Sequence, residues 1–141
     1  MNNTIPQLKN AAQQVLERIG YPGKKHEEWK YTDLNNIIAN LKHFDSGANG
    51  KSVTMSDIEK FRIAGSEAHL VVFVDGLFQE ALSSPDLKSL PFHFSNLASV
   101  QNPDLVNKYL GKIAVFENES FVALNTAHLH DGVLIHIPEN V

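Results

Sequence analysis

The sequence contains no cysteine. That excludes disulfides, thiolate catalysis, Cys-ligated zinc and Cys-ligated iron–sulfur clusters within this chain. A surplus of positive charge is also missing: 12 basic against 16 acidic residues leave a formal net charge of −4. Without basic excess to release counterions from phosphate, no nucleic-acid partner is expected. Long apolar runs are absent too. The longest, Leu70 to Val74, falls far short of a membrane span, and Met1-Asn2-Asn3-Thr4-Ile5-Pro6 lacks the features of a secretory signal. No membrane partner is expected, and a cytoplasmic, reducing location fits the thiol-free composition. Phosphate-binding Gly-rich loops, the Gly-x-Ser-x-Gly elbow and His-Glu-x-x-His are all missing. A non-enzymatic chain is the expectation.

What is present suits one globular domain: 141 residues, 43% hydrophobic and 20% charged. Ile5, Leu8, Ala11, Ala12, Val15, Leu16 and Ile19 form one helical stripe, with Thr4 as cap and Gly20 as stop. Thr32 suits the cap of a short helix carrying Leu34, Ile37, Ile38 and Leu41. Residues 45–52 read as a loop, and Ser56 with Glu59 has capping-box spacing for a helix over 57–61. The run 69–74, the pair Asp75-Gly76 and the run 77–82 spell a β-hairpin with a type I′ turn. A short strand is expected near Pro91–Phe94, a helix from Asn102-Pro103 to Leu110, a helix over 116–129, a turn at Asp131-Gly132 and a strand over 133–137. That last strand pairs with the hairpin or leads into a longer protein. Core candidates are Leu8, Val15, Leu16, Trp29, Tyr31, Leu34, Ile38, Val72, Val74, Leu77, Phe121 and Leu124.

Two clusters invite a chemical reading. His128, His130 and His136 are potential ligands of a metal-dependent enzyme, but no fixed third-ligand or carboxylate spacing supports one. Lys24, Lys25 and Lys30 with Trp29 offer an anion-binding patch, which Glu27 and Glu28 largely cancel. Surface histidines and a packed Trp among solvated charges are the commoner arrangements.

Three stretches carry a resemblance. The first runs from Gly20 to Leu34 and includes Pro22, Glu27, Trp29, Lys30, Tyr31, Thr32 and Leu34. The second runs from Leu70 through Asp75-Gly76 to Ala81-Leu82-Ser83. The third holds Phe121, Leu124, Asn125 and Ala127, then Asp131-Gly132 through Pro138. In this order they resemble the N-terminal region of the SufB/SufD family of SUF iron–sulfur cluster assembly scaffold proteins, most closely its SufD branch.

The resemblance implies an α+β fold, with N-terminal helices packed with a small hairpin-containing sheet, leading into a parallel β-helix core beyond this chain. It implies one N-terminal domain over 1–141: helical over 4–42, a loop over 45–53 and an α/β part over 56–141, with 133–141 approaching that core. SufB- and SufC-like partners are implied in the full-length context. The iron–sulfur cluster would be handled by the whole complex, with no catalytic, cofactor or metal ligand carried over to this chain. The twelve motif residues Pro22, Glu27, Trp29, Lys30, Tyr31, Thr32, Leu34, Asp75, Gly76, Leu124, Asn125 and Ala127 are expected to be structural.

Overall fold

The structure is a computed structural model and describes residues 4–41, 52–100 and 103–141. All but the last residue of the loop expected over 45–52, and the Asn102 cap, lie outside the described residues. Among the described residues the helices are α1 (Thr4–Ile19), α2 (Asn35–Leu41), α3 (Met55–Ile58), α4 (Pro103–Tyr109) and α5 (Ser120–Ala127). The strands are β1 (Phe73–Val74), β2 (Leu77–Phe78), β3 (His93–Asn96) and β4 (Val133–His136). This is an α+β fold with two small antiparallel sheets, β1–β2 and β3–β4. The described residues group into two compact units, one drawn from 4–41 and 103–129, the other from 52–100 and 130–141.

The first unit is helical. Its apolar stripe lets α1 bury Ala12 and Leu16 against Phe116 and Ala123, with Leu8, Val15 and Val122 packed around them. Full burial of a Leu or Phe side chain contributes about 1.5–3 kcal/mol, and Leu16 and Phe116, each 7% exposed, come close to it. Gly20 ends α1 at φ +65°, and its N–H donates to the Leu16 carbonyl at 2.8 Å. That left-handed conformation favours glycine over any side chain. Across the unit, Ser120 Oγ donates to the Gly20 carbonyl at 2.6 Å and Arg18 Nη2 to the Glu117 carbonyl at 3.1 Å.

Several details depart from the sequence expectations. Thr4 is already helical. Thr32 does not cap α2; Asp33 Oδ1 accepts from the Asn35 N–H at 3.0 Å instead. Helix α5 is shorter than 116–129, because Phe116 lies in a turn before it. The deepest α5 positions are Ala123 and Thr126, while Phe121 and Leu124 are half-buried. Tyr31, expected in the core, is 91% exposed.

The second unit is built around Ile58, Val72 and Leu87. Its α3 is capped two residues before the expected box, by Thr54 with Asp57 in place of Ser56 with Glu59: Thr54 N–H and Oγ1 both donate to Asp57 Oδ2, at 3.1 and 2.7 Å. Asp75 and Gly76 both have positive φ, 50° and 78°, as a type I′ turn requires. The ladder then pairs Val74 with Leu77 and Phe73 with Phe78. One more backbone bond follows, from the Gln79 N–H to the Val72 carbonyl at 2.9 Å, before residues 80–82 turn into a 3-10 helix. Two hydroxyls then take the N–H groups that a longer strand would have bonded: Ser83 Oγ accepts from Val72 N–H at 2.9 Å and Ser84 Oγ from Leu70 N–H at 2.8 Å, while the Leu70 carbonyl accepts from the Ser84 N–H at 2.9 Å. Strand β4 pairs with β3 rather than with the hairpin, in the register His93↔His136 to Asn96↔Val133.

Candidate functional site

The three motif stretches meet in two places, one in each unit. In the first unit a 3-10 turn over Glu27–Trp29 sets the indole of Trp29 against the Phe121 ring, centroids 5.1 Å apart. Tyr21 packs on the same ring at 6.1 Å, and Pro22 and Leu34 are buried. Beside this cluster lies a cavity of about 230 Å³ lined by Tyr21, Leu41, Phe121, Leu124, Asn125 and His128. The lining is mostly apolar with two polar groups at the side, which suits an apolar side chain more than an ion.

The outward half of the first stretch has another character. Tyr31 projects into solvent two residues beyond the stacked Trp29, because Trp29 closes a tight turn. Lys30 Nζ lies 5.5 Å from the Tyr31 ring centroid and 3.6 Å from Glu27 Oε1. Thr32 N–H donates to the Trp29 carbonyl at 3.0 Å. The anion patch weighed for Lys24, Lys25, Trp29 and Lys30 therefore has Lys30 engaged by Glu27 and one side of the indole against Phe121.

In the second unit the meeting point is Asp131, which the sequence suggested only as a turn residue. Its carboxylate accepts from the N–H groups of Phe78 at 3.1 Å, Ala98 at 3.1 Å and Gly132 at 2.9 Å. Asn96 Nδ2 adds bonds of 3.2 and 3.1 Å. Burial pushes the Asp131 carboxyl up, but the donors Ala98, Gly132, Asn96 and Phe78 outweigh it and hold it below the usual carboxylate range. One side chain thus ties β2, the start of β4 and the end of β3 together. An Asp-Gly pair without an apolar run directly before it was the available signal, since a hairpin turn needs strands on both sides.

His128 caps α5 in the first unit, whereas His130 and His136 belong to the second. Among the described residues no group of three or more His, Cys, Asp or Glu is placed to hold a metal ion. No described helix is long and apolar enough to cross a membrane.

The chain matches the family described as SufBD protein N-terminal region over residues 1–141. It is 35% identical over 136 residues to an iron–sulfur cluster assembly SufBD family protein of Synechocystis, covering 94% of this chain and 29% of that protein. It is 45% identical over 38 residues to an iron–sulfur cluster assembly SufBD family protein of Arabidopsis thaliana, covering 27% of this chain and 8% of that one. The chain thus spans under a third of the length of the curated relatives it matches. No solved structure matches it at a significant level. A match running from the first residue to the last, with the motif stretches knitted into each unit, places the chain in the SufBD family, as its N-terminal region.

Proposed function

We propose that this region serves iron–sulfur cluster assembly as a non-enzymatic module of a cytoplasmic, SufD-like protein, working with SufB- and SufC-like partners. The observation that carries the reading is the family match over all 141 residues. The exposed Tyr31 supports a contact role. A specific motif packs its Trp29 and Leu34 inward, yet presents a large aromatic ring outward, where it adds nothing to the core. Exposed aromatic residues are favoured anchors at protein interfaces. Cluster ligands would come from the rest of the assembly, since this region has no thiol to offer.

The test is affinity purification of the tagged full-length protein from its own cells. A SufC-type ATPase and a SufB-type scaffold should arrive with it, and its deletion should lower the activity of iron–sulfur enzymes. Arrival alone, with those enzymes unaffected by deletion, would sink the reading.

A further inference from the structure

The second unit holds a cleft of about 480 Å³ that the assembly reading does not use. The segment from Glu80 to Lys88 forms one wall, and β3 forms the other. His93, Phe94, Ser95 and Asn96 all line it. Successive strand residues point to opposite faces, so a cleft touched by all four runs along the edge of the strand. The opposite edge of β3 is taken by β4.

The phase of the ladder decides what the free edge offers. Leu97 N–H donates to the Gly132 carbonyl at 2.9 Å, continuing the register that pairs His93 with His136. Antiparallel pairs alternate between bonded and non-bonded. His93 and Ser95 therefore bond to β4, while the N–H and C=O of Phe94 and Asn96 point away from it. The Asn96 carbonyl accepts from the Ser99 hydroxyl at 3.4 Å, as that orientation requires. Among the described residues nothing meets the Phe94 N–H, the Phe94 C=O or the Asn96 N–H. In the same wall, Ser95 Oγ is buried without a partner.

Donor, acceptor and donor in a row match an extended polypeptide. An oxyanion would satisfy only the donors. We propose that the free edge of β3 receives an extended segment of a partner protein as an added strand. This rests on the assembly reading, in which the region exists to contact other proteins. The cleft also selects the segment. Phe78 and Phe94, with ring centroids 5.9 Å apart, seat an aliphatic side chain. Lys88 and Glu80 are paired with each other at the rim, so the seat suits an uncharged strand.

The probe is acetyl-Val-Ser-Val-Ser-amide, added to the full-length protein and followed by hydrogen exchange of the segment containing Phe94 and Asn96. These amides should exchange freely in the isolated protein and become protected by the peptide. A peptide N-methylated on its strand-facing amides should bind about tenfold more weakly, since it forfeits main-chain hydrogen bonds and keeps every side chain. Equal protection by the N-methylated peptide, or no protection at all, would overturn the proposal. Amides already protected in the isolated full-length protein would do so too, because its own chain would then cover the edge. None of these failures alters the co-purification outcome, so the two readings fail separately.

Discussion

Replacing Asp131 tests the clearest electrostatic feature of the second unit. Three backbone N–H groups and the Asn96 amide converge on its carboxylate. A hydrogen bond to a charged acceptor is worth about 1.5–3 kcal/mol, and partial exposure places these at the low end. Asp131→Ala strands the donors together and should cost about 3–4 kcal/mol, a large share of a domain stability of about 5–15 kcal/mol. Asp131→Asn keeps one oxygen but turns an NH₂ toward another donor, at about 1–3 kcal/mol.

The pH dependence follows from the lowered carboxyl. A folded value below the unfolded one of about 3.9 stabilises the fold above that pH, and the stabilisation fades as pH falls through the folded value. Urea unfolding followed by far-UV circular dichroism measures the loss, with amide exchange at Phe78, Ala98 and Gly132 reporting locally. If Asp131→Asn unfolds at the wild-type midpoint, or both proteins lose the same stability below about pH 4, the reasoning fails.

Other perturbations separate packing from contact. Trp29→Ala should lower stability by about 2–3 kcal/mol, less than for a fully buried Trp, because the indole is only half-covered by Phe121 and its neighbours. Tyr31→Ala should leave the urea midpoint within about 0.5 kcal/mol of wild type, yet reduce partner recovery in affinity purification. Gly111→Ala should destabilise by about 1–3 kcal/mol in thermal melts, since the position has φ +69° and a Cβ would stand 2.8 Å from Leu8 Cδ1.

Local chemistry was the legible part of the sequence. The α1 stripe, the Gly20 stop and the Asp75-Gly76 turn each follow from nearest neighbours, and each forms as expected. Features set by distant partners were not legible. Tyr31 looked like Trp29, but one turn sends them in different directions. Ala81 and Leu82 looked like strand, but Ser83 and Ser84 supply the bonds that strand would have made. Asp131 looked like a turn because its donors lie up to 53 positions away. The family motif reads easily as a signature, yet its residues divide between buried anchors and an exposed ring only once the fold is known.

The path of the chain through the first unit has a consequence for synthesis. Helix α1 ends at Ile19, and its partner α5 begins at Ser120, so the chain makes the whole second-unit stretch from 52 to 100 before that pairing can occur. At ribosomal rates of about 5–20 residues per second, the apolar face of α1 waits roughly 5–20 s for its cover. The second unit meets a shorter delay of roughly 2–8 s at the same rates, since β3 waits for β4 and for the carboxylate of Asp131. Neither unit can close on a half-made chain. Nascent polypeptides stalled before residue 120 should present α1 to holdase chaperones, and release should follow once residues 116–127 clear the exit tunnel.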